Sequence, residues 1–403
     1  MAYCPAMKLF SSPRRLYIPA RGLATALALG FALLYSRQLG VTNRGYIAAI
    51  MTFTVVTLIL TTSGTTLTLR KLATNSEFLP SFYSFKALII VELFFAVILF
   101  TLEIQAFSIL KNEIPRSLFF TSIIYFIASG MHLISMEVLI ALNHFKTASM
   151  FEVLTVILQL SLFILSSLVP FISIATRLLL SFSLAATMIS ILVCIKLRRS
   201  AGPWSYFTSP LYFLKKSRGN HSIGGVLGVV DRFDRVIISW LLPVTFLAQY
   251  SVMSSFIGYF RFIPDAYSKI IVSLNIRKGG FIQTKKYFLI TLTILIAIII
   301  IILSRIAILE FLGPEWILPW GISILFAIQE ILRGEFQVSG TAKIASGNSG
   351  LTNRASLFLA TFGIPVSISM TLLFGTYGVS VGFILTYTAI LVMINHRKGI
   401  GVV

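Results

Sequence analysis

The chain has 403 residues, 57% of them hydrophobic and 11% charged, with a mean hydropathy of +0.93. So apolar a composition cannot clothe a water-soluble globule, which excludes soluble enzymes and binding modules and implies a polytopic membrane protein. The 33 Lys and Arg outnumber the 13 Asp and Glu, but they sit in short clusters beside apolar runs, where anionic lipid headgroups attract them, so nucleic acid is not the implied partner.

Crossing about 30 Å of hydrocarbon at about 1.5 Å per residue takes roughly 20 apolar residues. On that basis the sequence predicts twelve spans, over 16–36, 46–68, 85–104, 117–141, 149–169, 174–195, 223–243, 247–274, 286–304, 318–342, 355–374 and 376–395. The first follows Lys8, Arg14, Arg15 and Arg21 as a secretory leader would. Its apolar run continues into Arg37 without a small-residue cleavage site, so it is read as a retained span.

Placing the loops alternately on the two sides, with the N-terminus inside, puts 22 of the 33 cations in cytoplasmic segments and six outside: Arg37, Arg44, Lys111, Arg116, Arg177 and Arg305. That asymmetry predicts both termini in the cytoplasm. The longest connection, "KLRRSAGPWSYFTSPLYFLKKSRGNHS", divides the chain into an N-terminal six-helix bundle (1–198), a cytoplasmic linker (199–221) and a C-terminal six-helix bundle (222–403). A short internal echo accompanies the division. Leu39, Val41, Thr42 and Tyr46 after the first span recur as Leu242, Val244, Thr245 and Tyr250 after the seventh. Repeats with an even number of spans point the same way, so the expected architecture is all-α, with two six-helix bundles related by a pseudo-two-fold axis along the membrane normal.

Charges within the spans are the candidate functional groups, because an ionised side chain at mid-membrane costs at least about 2.5 kcal/mol and normally faces protein or water. The seventh span carries Asp231, Arg232, Asp234 and Arg235, and the eighth carries Arg261, Asp265 and Lys269 on one helical stripe. The tenth adds Glu330, Arg333 and Glu335, the third Glu92 and the fourth Glu137. Arg261 and Lys269 read as fixed cations for an anionic headgroup, since a guanidinium fork binds two phosphate oxygens at once. Asp231, Asp234 and Asp265 are ion-pair candidates. Glu92, Glu137 and Glu330 are candidates to carry a coupling proton or sodium ion. Pro264 and Pro365 lie within spans, where proline bends a helix. Trp204, Trp240, Trp316 and Trp320 fall near span ends, as an interfacial belt would. Asn43, Arg44 and Gly45 read as a short loop without nameable chemistry. Cys4 and Cys194 make no disulfide framework or metal set, and no zinc, nucleotide or hydrolase motif is present, so neither cofactor nor catalytic residue is expected.

Three stretches resemble one family. "LLYSRQLGVTNRGYIAAI" is similar to the "aRxLGxxxxGxy" signature of Wzx-type O-antigen and polysaccharide flippases at Arg37, Leu39, Gly40, Gly45 and Tyr46. "VVDRFDRVIISWLLPVTFLAQYSVMSSF" resembles that family's "vDrxiIxxxLxxxxxgxYsxa" at Asp234, Arg235, Ile237, Ile238, Leu242, Tyr250 and Ser251, with Ala248 and Gln249 replacing the usual glycine. "FLGPEW" resembles its "lFGxxw" turn. The resemblance, to a branch of the multidrug, oligosaccharidyl-lipid and polysaccharide exporter superfamily, implies a non-enzyme. Its expected activity is flipping undecaprenyl-diphosphate-linked oligosaccharide across the bacterial inner membrane by alternating access. It implies a cationic cavity at Arg235, Arg261, Lys269 and Arg333, and a polysaccharide polymerase and chain-length proteins as partners beside membrane lipids. A polymerase or ligase of the same pathway is the rival reading, set against the short outward loops, and a cation-coupled drug exporter is the third.

Overall fold

The computed structural model describes residues 17–74, 82–111, 114–142, 144–169, 171–199, 232–257, 286–345, 354–355 and 357–396. All regular structure among them is helical: α1 (Tyr17–Thr74), α2 (Phe82–Lys111), α3 (Arg116–Ala141), α4 (Phe145–Ser166), α5 (Ile174–Arg199), α6 (Phe233–Leu241), α7 (Val244–Ile257), α8 (Lys286–Phe311), α9 (Trp320–Ala345), α10 (Ile364–Phe374) and α11 (Thr376–His396). The linker, Trp204, Pro264 and the first part of the seventh span lie outside the described residues.

The first two predicted spans are the two arms of α1, separated by the single residue Gly40 (φ 69°, ψ 170°). That backbone region is open essentially to glycine alone. The sequence predicts a loop there, but the second arm is helical from residue 41, so Asn43, Arg44 and Gly45 are helical. Arg44 accordingly leaves the loop cations and turns inward, where it is 3% exposed.

The helices are apolar outside as well as inside, as lipid-facing helices are: Ile90, Phe94, Phe95 and Leu102 of α2 and Ile298 and Leu303 of α8 are all exposed. The interior is instead enriched in small and hydroxylated residues. Thr54, Thr57, Thr62, Thr65 and Thr68 of α1 are buried, and the hydroxyl of Thr62 donates back to the Leu58 carbonyl at 2.6 Å. Gly378 and Gly382, one turn apart on α11, bring its backbone against Met370 and Ser367 of α10.

α1 packs on α2, α3, α4 and α5, while α9 and α10 pack on α11. Pro365 does not break its helix. A five-residue π segment, Leu359–Gly363, precedes it, and this wider turn absorbs the hydrogen bond that the proline ring removes. The turn before α9 is a 3-10 helix, Pro314–Trp316, entered through Gly313 at φ 104°. Trp316 is buried rather than part of a lipid-facing belt, whereas Trp240 and Trp320 are exposed as expected, with the Arg305 guanidinium 3.9 Å from the Trp320 ring centroid.

Candidate functional site: the seam around α6

α6 packs on α1 and α2 of the N-terminal group and on α10 and α11 of the C-terminal group, so this nine-residue helix lies in the seam between them. Asp234 in its first turn complements the positive end of the helix. Its far end is set by Pro243, which disfavours the helical conformation for Leu242 before it; Leu242 is extended (φ −111°, ψ 164°). Successive residues of a helix project about 100° apart. The neighbouring charges Asp234 and Arg235 therefore point to different surroundings.

Asp234 turns into the C-terminal group and is buried. Its Oδ2 accepts hydrogen bonds from the Tyr250 hydroxyl at 2.7 Å and from Gln329 Nε2 at 3.2 Å, and lies 3.4 Å from Arg333 Nη2. Arg333 also pairs with Glu330 and donates from Nε to the Tyr387 hydroxyl at 3.1 Å. Three helices, α7, α9 and α11, and the short seam helix α6 are thus tied by one buried polar network. Arg333 was expected among the substrate-facing cations; here it is 3% exposed and engaged by two carboxylates, so it serves as the internal counter-ion of Asp234 and Glu330. Glu330 is likewise held as an ion-pair partner.

Arg235 is half-buried and its Nη2 donates to Ser254 Oγ at 2.8 Å. Across the seam, Arg44 donates from Nε to Ser36 Oγ at 3.1 Å and lies over the Tyr35 ring, 5.0 Å from its centroid. Beside Arg44, Gly45 packs directly on Val244: a Cβ at Gly45 would overlap the Val244 carbonyl oxygen and Cγ1. The two echoed segments therefore both interrupt helices, at Gly40 and at Leu242, and touch each other across the seam.

In the N-terminal group, Thr57 donates to Glu103 at 2.6 Å and Thr65 donates to Glu92, so the threonine stripe of α1 meets two carboxylates of α2 in antiparallel register. Glu137 is half-buried on α3. Asp231, Arg261, Asp265 and Lys269 lie outside the described residues. Sequence reasoning passed over Arg44, Glu103, Gln329 and Tyr387. Glu103 carried a signal: it follows Glu92 by three helical turns and so shares its face. Arg44 carried none, because an arginine eight residues past a predicted span end reads as a loop.

No protein-family model and no curated protein sequence matches the chain. Solved structures do match over nearly its whole length. The lipid II flippase MurJ in an inward closed conformation has a TM-score of 0.68 at 16% identity, covering 95% of this chain and 87% of that one. A mutant of the MATE transporter VcmN from Vibrio cholerae gives 0.64 at 14%, covering 97% and 98%. A MOP superfamily transporter from Pyrococcus furiosus gives 0.62 at 10%, covering 97% of each chain. The chain is a multi-pass membrane protein with the fold of these transporters, all-α, with about twelve membrane helices in two lobes.

Proposed function

We propose that the protein flips undecaprenyl-diphosphate-linked oligosaccharide repeat units from the cytoplasmic to the periplasmic leaflet of a bacterial inner membrane, working by alternating access with both termini in the cytoplasm. The observation that carries this reading is the sorting of charge at α6. The carboxylate of Asp234 is neutralised inside its own lobe, while Arg235, with a neutral serine as partner, stays at the seam. A seam with surplus positive charge suits a diphosphate, which must exchange its hydration for fixed donors on the way across. Arg261 and Lys269 would extend that cationic surface, with the acyl chain left in lipid. The chain then performs no bond chemistry, and the polymerase and chain-length proteins of surface polysaccharide synthesis are its expected partners.

The test is reconstitution into vesicles with a labelled undecaprenyl-diphosphate-linked sugar. Reorientation without glycosidic bond formation supports the proposal. Chain lengthening supports the polymerase or ligase reading, and absence of both overturns flipping. A cation-coupled drug exporter is the second reading, favoured by the two α2 carboxylates that receive threonine hydroxyls. Dye efflux driven by a proton or sodium gradient, with no lipid reorientation, would establish it instead.

A further inference from the structure

We propose that the α8–α9 hairpin, at its Pro314–Trp316 end, binds a zwitterionic phospholipid, with the lipid phosphate on Arg305 beside Trp320 and an acyl chain along the apolar surface of the two helices. None of these residues belongs to the network around α6, and the proposal does not depend on what the seam carries.

Arg305 lies within two turns of the end of α8 and is half-buried. Its Nη1 donates to the Leu318 carbonyl at 2.5 Å, and its guanidinium carbon is 3.9 Å from the ring centroid of Trp320, the first residue of α9. The carbonyl and the ring fix the plane of the guanidinium while using one nitrogen and one face. Among the described residues Nε and Nη2 have no hydrogen-bond partner, and neither is buried. Those two nitrogens share an edge and point their N–H bonds in parallel, which matches two oxygens of one phosphate. Capping Leu318 and covering Trp320 leave that edge free.

The apolar surface continues from the cation in the direction a lipid chain takes. Ile298 and Ile302 of α8 share the face of Arg305, Ile324 and Ile328 of α9 share that of Trp320, and all four are exposed. α8 packs on α9, so the two stripes run side by side from the hairpin end towards the middle of the membrane. Cation and indole at headgroup level, with hydrocarbon-facing isoleucines beyond them, follow the order of polar head and chain in a phospholipid. Charge selects the headgroup. From Ser304 to Ile328 the ionised residues are Arg305, Glu310 and Glu315, and both glutamates are exposed. A headgroup of net negative charge meets two carboxylates there, whereas a phosphate offset by its own ammonium finds both signs complemented. The Glu315 carbonyl also accepts the Gln249 side chain of α7 at 2.7 Å, so a lipid held here braces the turn to which α7 is tied.

The experiment uses the full chain in detergent, stripped of lipid. It titrates dioleoyl phosphatidylethanolamine, dioleoyl phosphatidylglycerol and the chainless glycerophosphoethanolamine, reading bound probe by native mass spectrometry and the rise in thermal midpoint that each gives. Wild type should bind the ethanolamine lipid more tightly than the glycerol lipid. The chainless headgroup should bind at least about tenfold more weakly, since each buried CH2 adds about 0.8 kcal/mol. Loss of a charged hydrogen-bonding partner weakens binding by about tenfold to a hundredfold, so Arg305→Gln should show a loss of that order. Arg305→Lys, which keeps the charge and loses the paired edge, should fall between the two. Arg116→Gln, which removes an exposed cation from another helix end, should bind as wild type does. A purely structural Arg305 would lower the lipid-free midpoint of Arg305→Gln and leave its lipid-induced rise intact, and that result overturns the site. If Arg305→Gln does not fold, Arg305→Lys decides, and wild-type affinity in it overturns the site as well. Tighter binding of the glycerol lipid overturns the zwitterionic assignment. Equal binding of the chainless headgroup would place a soluble phosphate compound there instead of a lipid, and an equal loss in Arg116→Gln would reduce the effect to unspecific surface charge; either result overturns the proposal.

Discussion

Arg333 and Asp234 meet at 3.4 Å with their side chains 3% and 2% exposed, and Arg333 also holds Glu330. Among the described residues, Arg333 is thus the cation that both carboxylates share inside the C-terminal lobe. Removing a single partner of a buried pair typically costs about 3–5 kcal/mol, because it leaves a charge without compensation. The effects should rank unequally. Arg333→Met strands two carboxylates and should lower the thermal midpoint most. Asp234→Asn leaves Arg333 with Glu330 and should lower it less. Adding Glu330→Gln to Arg333→Met should restore part of the loss, and a triple change that also carries Asp234→Asn should restore more. Melting curves of the four variants in detergent check the order; equal midpoints for Arg333→Met and wild type would show that the network contributes nothing.

Gly40 offers a sharper backbone test. Its φ of 69° and ψ of 170° lie where a residue with a Cβ costs about 1–3 kcal/mol, and nothing nearby crowds the position. Gly40→Ala should therefore destabilise through backbone strain alone. Asn43→Ala, which loses a 3.1 Å hydrogen bond to the Leu39 carbonyl in the same turn, should cost about 1 kcal/mol. Comparing their chemical denaturation midpoints separates the two. A Gly40→Ala protein as stable as wild type would mean that the chain takes another path between the arms of α1.

The helices were legible because a run of roughly 20 apolar residues has few alternatives in a bilayer. The predicted 117–141 is α3 (Arg116–Ala141), and the predicted 376–395 is α11 (Thr376–His396). The site was legible only in residue type. Asp234 and Arg235 stood out as charges in a span, but which of them turns inward depends on how α6 is seated, and that is fixed by Tyr250, Gln329 and Arg333, of which Gln329 is 95 positions away and Arg333 further still. Hydropathy treats Arg333 and Arg235 alike, whereas distant partners make one a counter-ion and leave the other at the seam. Gln249, noted as a departure from the flippase signature, donates to the Glu315 carbonyl at 2.7 Å and so ties α7 to the turn before α9. Its purpose could be seen only once the two segments were side by side.

His144, in the connection before α4 and outside the spans, supplies a pH test. Partial burial, and then the charge of Lys196, hold its imidazole below the usual histidine range. The folded state therefore favours the neutral ring. Stability should be unaffected above the unfolded value of about 6.5 and should decline as pH falls from there towards the lowered folded value. Lys196→Gln removes the smaller of the two causes, along with the 2.7 Å hydrogen bond that Lys196 donates to Thr147. The His144 resonance should then titrate at higher pH than in wild type, without reaching the free value, because burial persists. NMR of selectively labelled histidine reads this directly, and an unchanged titration in Lys196→Gln would remove Lys196 as a cause.

Gly45 and Val244 define the last test, since a side chain at Gly45 would occupy the space of the Val244 backbone. Backbone cannot give way as a flexible side chain does, so Gly45→Leu should part the lobes at this contact rather than unfold either of them. Ala48 lies about one turn along α1 on the same face and is buried in this structure. In a background with Cys4 and Cys194 replaced, Ala48→Cys should react slowly with a membrane-impermeant maleimide, and the same cysteine combined with Gly45→Leu should react several-fold faster. By the charge asymmetry of the loops, the increase should appear with reagent added from the periplasmic side. Gly45→Ala, with one carbon instead of four, should give a smaller increase. Equal labelling rates in all three backgrounds would show that the lobes do not separate at Gly45, and would place the moving contact elsewhere along the seam.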